Sequence, residues 1–135
     1  MQIVANNKKA FFEYFILEKI EAGIQLTGDE VKSLRVGKAS IKEAYAEAKK
    51  GQLFLVNSDI SNYEKASSYS KLNSKRVRKL LVHKKEILKL QGKIEKEGMT
   101  IVPLKLYFNN KGIAKVEIAI AKGKKLYDKR EVKKK

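Results

Sequence analysis

Cysteine is absent from this sequence, which excludes disulfides and thiolate metal sites. Histidine occurs once, at His83, so no pair of imidazoles is available to hold a metal. Proline occurs once. A proline has no N–H for a ladder, so Pro103 belongs at a strand start, an edge or a bulge. No apolar run approaches the ~20 residues that cross a bilayer as a helix. The opening Met-Gln-Ile-Val-Ala-Asn-Asn-Lys-Lys lacks the apolar core of a signal peptide. Acids are scarce, 15 against 31 Lys and Arg, and scattered, mostly beside a lysine. They read as charge balance, not as carboxylates converging on a hard cation. There is no glycine-rich phosphate loop of the Walker or Rossmann type. These absences together point away from an enzyme and away from any cofactor.

What is present is positive charge. The formal net charge is +16 over 135 residues. Such an excess repels itself, so a polyanionic partner is expected, nucleic acid before an anionic membrane surface. Apolar residues make up 43%, enough for one globular body with a real core. The expectation is a small, basic, cytoplasmic protein. Its charge is densest at the end, where Lys122, Lys124, Lys125, Lys129, Arg130, Lys133, Lys134 and Lys135 face only Asp128 and Glu131. Tyr127 is the aromatic among them. Such a stretch buries too little to order itself, so 1–121 is expected to be the folded body and 122–135 a disordered basic tail. Charge plus a stackable ring suits RNA.

A second basic constellation is Lys75-Arg76-Val77-Arg78-Lys79-Leu80-Leu81, followed by His83-Lys84-Lys85. Arginine grips phosphate bidentately, so phosphate contact is one reading and a solvated helix face the other. Leu80 and Val82 are assigned to the core. His83 marks a helix start or touches RNA. Asn7, Lys8 and Lys9 form a third, smaller group in a polar N-terminal arm over 1–10. Tyr14, Tyr45, Tyr63, Tyr69 and Tyr107 could stack bases, though core or edge positions suit them better.

Phe11–Leu26 switches the parity of its apolar positions, which predicts a long strand with a bulge, placed at Glu21-Ala22-Gly23. Thr27-Gly28-Asp29-Glu30 is a capping box, so a short helix is predicted over 28–36, ending at Gly37. Ser40–Lys49 reads as a strand, with helix as the alternative, turning at Lys49–Gln52 into a strand over Leu53–Val56. Ile60–Tyr63 reads as another short strand and 64–75 as a long loop. Lys75–Glu97 is the main helical segment, its regular helix starting near His83 and stopping before Gly98. Met99–Phe108 and Ile113–Ala121 are strands joined by Asn109-Asn110-Lys111-Gly112. Leu104, Leu106 and Phe108 alternate against Lys105 and Tyr107. The fold class is mainly β with helices: an OB-like small barrel flanked by two or three short helices, with a basic C-terminal tail.

At several of these places the chain resembles the tmRNA-binding small protein B, or SsrA-binding protein, family. The resemblance rests on Asn-Lys-Lys-Ala at 7–10, Glu-Ala-Gly-Ile-Gln-Leu-Thr-Gly-Asp-Glu-Val-Lys-Ser-Leu-Arg at 21–35, and Arg-Lys-Leu-Leu at 78–81. Pro-Leu-Lys-Leu-Tyr-Phe at 103–108 and Ala-Lys-Gly-Lys-Lys-Leu-Tyr-Asp-Lys-Arg at 121–130 complete it. It implies an OB-like barrel that binds the tRNA-like part of tmRNA and travels with alanyl-tmRNA and elongation factor Tu to stalled ribosomes. It implies tmRNA contacts at Asn7, Lys8, Glu21, Arg76, Arg78, Lys79, Leu81 and Lys115. An acid facing RNA has to accept from a base or ribose, and a bulge acid balanced by Lys19 remains the other reading of Glu21. The resemblance further implies that Gly123, Lys124, Lys125, Tyr127, Asp128, Lys129 and Arg130 engage the small ribosomal subunit and its rRNA. Tails in that family usually run further than Lys135. A shortened form is expected to keep tmRNA binding and to lose efficient tagging. The remaining implications are a monomer, alanyl-tRNA synthetase and elongation factor Tu as indirect partners, and no membrane association. A general basic RNA-binding or ribosome-associated protein is the alternative.

Overall fold

Short alternating runs between tight turns give nine strands and three helices among the described residues, 1–61 and 74–124 of the computed structural model. Six strands close a barrel in which every neighbour is antiparallel. They are β4 (Tyr45–Lys49), β5 (Gln52–Val56), β7 (Arg78–Leu81), β2 (Tyr14–Ile24), β9 (Ala114–Gly123) and β8 (Thr100–Phe108), which pairs back with β4. Leu53, Leu55, Leu80, Ile101, Leu106, Val116 and Ile118 fill its interior. Closure leaves few sheet edges, and this is the OB-like architecture expected.

The polar arm expected over 1–10 is instead strand and helix. β1 (Gln2–Asn6) pairs with β8 from Gln2↔Phe108 to Asn6↔Lys105. Asn7 then caps α1 (Lys8–Glu13), so Phe11 lies on a helix and β2 begins only at Tyr14. The bulge in β2 falls between Ile16 and Glu18, and the register through Glu21, Ala22 and Gly23 is regular. Gly23 answers a different need. A Cβ there would lie 3.2 Å from the Leu81 Cβ, so glycine lets β2 and β7 approach.

α2 (Gly28–Arg35) has the complete capping box of Thr27 and Glu30. Between it and β4 the expected single strand divides into β3 (Ala39–Ser40) and β4, with Ala44 N donating to Ile41 O at 3.2 Å. The hairpin at Lys49–Gln52 is as expected. Lys50 and Gly51 both have positive φ, 51° and 74°, which suits the twist of the flanking strands. β6 (Asp59–Ile60) pairs with β3, and Tyr63, Tyr69 and residues 64–73 lie outside the described residues. α3 (Lys84–Glu97) starts after His83 and stops at Gly98, burying Ile87 and Leu90. The run before it is not helical: 78–81 is β7.

β8 has one edge on β9 and divides the other between β4, at Ile101, and β1. A bulge between Pro103 and Lys105 turns its faces over. Val102 and Leu104 join a small cluster with Ala10, Ala119 and Ala121, whereas Leu106 and Phe108 enter the barrel core. The even-numbered run therefore does not share one face, and Tyr107 is buried although its neighbours suggest an outward position.

Candidate nucleic-acid interface

A strand shows its side chains to opposite faces in turn, and β7 follows that rule. Arg78 and Leu80 point in; Lys79 and Leu81 point out. Arg78 is fully buried, 0% exposed. Its Nε and Nη2 donate to Glu30 Oε2 at 3.0 and 2.7 Å, and Nη2 also to Ser74 O at 3.0 Å. Its Nη1 donates to Ser58 O, Ser58 Oγ and Arg76 O at 3.1, 3.0 and 2.9 Å. Arg76 donates to both Glu30 oxygens, Nη2 to Oε1 at 2.7 Å and Nε to Oε2 at 3.2 Å. Burial alone would raise the Glu30 pKa. Hydrogen bonds from Arg76, the Thr27 backbone and Arg78 overcome it and hold the carboxyl below its ordinary range. Burial in turn pulls the Arg78 pKa down, opposed by Glu30.

The expected phosphate contact through Arg78 is therefore corrected: every N–H group is turned inward and satisfied. Arg76 is pinned by the same carboxylate and borders a shallow depression with Gln25, Leu26 and Thr27. Asn7 needs the same correction. It is 3% exposed, its Nδ2 donates to Pro103 O at 2.9 Å and Ile41 O at 3.3 Å, and its Oδ1 accepts from Ala10 N. It ties α1, β8 and the β3–β4 turn together. Lys8, beside it, is exposed.

The remaining four expected tmRNA contacts come together. β2 and β7 pair only at Gly23↔Leu81 and Ile24↔Leu80, then diverge. The gap is a groove of about 820 Å³. β2 contributes Glu21 and Gly23, β7 contributes Lys79 and Leu81, and β9 contributes Lys115. The first turn of α3 adds Lys84 and Glu86 beyond His83, and the β4–β5 turn adds Lys50. The charge is four lysines against two carboxylates, with Leu81 exposed at 46% as an apolar wall. Such a groove attracts phosphate and also offers a surface for a base. Lys84 belongs to the basic constellation read from the sequence, whereas Lys50 is an addition from the structure, brought to the groove by the predicted hairpin turn.

A second surface surrounds the start of β2. Phe11, Phe12 and Phe15 are exposed, Phe12 at 79%. Lys19 Nζ lies 5.9 Å from the Phe11 ring centre, and Lys124 Nζ 5.0 Å from that of Phe15. Lys124 also donates to Phe11 O at 3.3 Å. β9 continues through Lys122 and Gly123, which pair with Phe15 and Tyr14, past the boundary expected at 121. Lys125, Tyr127, Asp128, Lys129 and Arg130 lie outside the described residues. Among the described residues no three His, Asp or Glu side chains gather as a metal site, and no helix is long and apolar enough to cross a membrane.

A closed antiparallel barrel with a lysine-lined outer groove defines the class: a small OB-like barrel with a polyanion-binding face. The particular family follows from comparison, for the SmpB protein model matches residues 4–135, and the chain belongs to that family. An SsrA-binding protein of Nitrobacter winogradskyi is 55% identical over 135 residues, which is 100% of this chain and 85% of that protein. One from a Wolbachia pipientis of Culex pipiens is 58% identical, covering 96% of this chain and 87% of its own length. One from Thermosipho melanesiensis is 54% identical, covering 97% and 88%. A solved structure described as "tmRNA-SmpB: a journey to the center of the bacterial ribosome" contains a chain 50% identical to this one. It matches with a TM-score of 0.72 over 88% of this chain and 82% of that chain.

Proposed function

We propose that this protein is a non-catalytic RNA-binding adaptor of trans-translation. Its barrel binds the tRNA-like domain of tmRNA, and its C-terminal segment engages the decoding region of stalled ribosomes. The observation that carries the reading is the groove that gathers Glu21, Lys79, Leu81 and Lys115 on one outer face. Relatives named SsrA-binding protein support it. The RNA-binding body runs to the end of β9 at Gly123, two residues past the boundary expected at 121, and the ribosome-engaging tail leaves it there. In the tail, Tyr127 stacks on a nucleotide, and Lys124, Lys125, Lys129 and Arg130, with Gly123 and Asp128 among them, lie along rRNA or the vacant message channel. Alanyl-tRNA synthetase and elongation factor Tu are partners through the RNA. The protein acts as a cytoplasmic monomer.

Both kinds of contact are needed. Neutralising about six phosphates makes affinity fall roughly a thousandfold between 50 and 200 mM salt. Tight binding at physiological salt therefore calls for non-ionic contacts too, and base stacking supplies ~1–3 kcal/mol each. The test is a salt-titrated binding assay against the tRNA-like domain, with an elongator tRNA as competitor. The expected outcome is tight binding that excess tRNA does not displace. Weak binding that tRNA competes away equally would leave only a general basic RNA-binding protein.

A further inference from the structure

Glu21 is an acid in a lysine-lined groove, and one of its oxygens is already occupied. The Tyr107 hydroxyl donates to Glu21 Oε2. The two residues stand on strands that do not touch. β8 and β2 flank β9, and Tyr107 and Gly23 both pair with Lys115. Tyr107 thus reaches diagonally over β9 to Glu21. The residue is 7% exposed, so packing fixes where the hydroxyl sits. Burial first, then Glu21, push the Tyr107 pKa upward, so the hydroxyl keeps its proton throughout the physiological range.

The local register makes this donor necessary. Glu21 stands directly opposite Glu117, and like charges facing each other across a ladder repel. Glu117 Oε1 is buried with no partner among the described residues. Without a fixed donor, repulsion would swing the Glu21 carboxylate toward the groove lysines and neutralise them. The hydroxyl engages Oε2 and leaves Oε1 outside that bond. A carboxylate oxygen repels phosphate and accepts only from a donor, which on RNA is a base N–H or a 2′-hydroxyl. Gly23, two residues along the same strand, lets the Leu81 side chain pack close and form the apolar wall of the groove.

We propose that Tyr107 is a positioning residue for RNA discrimination: it locks Glu21 so that Oε1 accepts from a base edge or ribose hydroxyl lying in the groove beside Leu81. The lysines of the groove supply attraction common to all RNA, and the Tyr107–Glu21 pair supplies selection. This inference rests on the groove being the RNA-binding surface.

The test compares affinity for the tRNA-like domain with affinity for an elongator tRNA across a salt series. The proteins are the full chain, Tyr107→Phe, Glu21→Ala and the double variant. Tyr107→Phe should lower affinity for the tRNA-like domain about tenfold, the effect of one hydrogen bond to a charged group. Its salt slope should stay that of the unaltered protein, and it should cost nothing further in the Glu21→Ala background. A purely structural tyrosine would give the same loss in both backgrounds, and that result overturns the proposal. Glu21→Asp guards against a folding defect in Tyr107→Phe. It keeps the charge at an exposed position but withdraws the carboxylate from the hydroxyl, and it should match the tenfold loss. Full retention of selectivity by Glu21→Asp or by Tyr107→Phe overturns the positioning role alone. No preference in the unaltered protein would overturn it together with the adaptor reading.

Discussion

The two faces of β7 make a useful contrast. Arg78 and Lys79 are neighbours in sequence and carry the same charge, yet they do opposite work. Arg78 faces in and is held by Glu30, Ser58 and Ser74. Lys79 faces the groove. What separates them is not charge but whether the fold has already supplied an anion and the carbonyls that satisfy it. A basic cluster in a barrel protein therefore divides by strand parity into internal struts and ligand contacts, and mutational loss of binding means different things in the two classes.

Arg78→Ala puts the contrast to its hardest test. It leaves Glu30 buried with one of its two arginines gone, and should cost about 3–5 kcal/mol in urea unfolding. RNA binding should recover wherever stabilising conditions restore the fold. Asn7→Ala comes next, at about 2 kcal/mol by the same measurement, because it removes a helix cap and strips a donor from two buried carbonyls. Acid probes Glu30 without mutation. Its folded pKa lies below the unfolded value, so its contribution is complete above about pH 4.3 and is lost as pH falls through the folded pKa. Glu30→Gln should flatten that acid limb in a pH series of unfolding curves. Lys79→Ala should move stability least, within about 0.5 kcal/mol. It should instead weaken RNA binding at low salt and reduce the log–log salt slope by about 0.9, one phosphate contact. If Lys79→Ala unfolds the protein while Arg78→Ala does not, the inward and outward assignments are reversed.

Much of this architecture was legible because it depends on local rules. The capping box at Thr27–Glu30, the turn at Asn109–Gly112 and the glycine stop after α3 each declare themselves within a few residues. The site was half legible. Lys79, Leu81, Lys115 and Glu21 do converge, but Arg78 and Asn7 were given to RNA because polar side chains look available until their partners are known. Glu30 is 48 residues from Arg78 in sequence, and nothing local connects them. The β2 bulge was misplaced for a related reason, whereas Pro103 does stand at a bulge, in β8. A one-residue slip in β2 or β8 is set by the neighbouring strands, so Leu104 and Leu106 look equivalent until β9 separates them. The role of Tyr107 depends on three strands in register, beyond the reach of periodicity in any one of them.

The β2–β9 ladder has a metrical consequence. It starts at the groove, where Gly23 meets Lys115, and ends where Tyr14 meets Gly123, at the root of the C-terminal segment. At ~3.3 Å per residue that is a ruler of roughly 25 Å, stiffened on one flank by β8. Whatever sits in the groove is thus held at a set spacing from the point where the C-terminal segment leaves the barrel. Lengthening the ruler by two residues in each strand would keep both surfaces chemically intact and leave them out of step by ~7 Å.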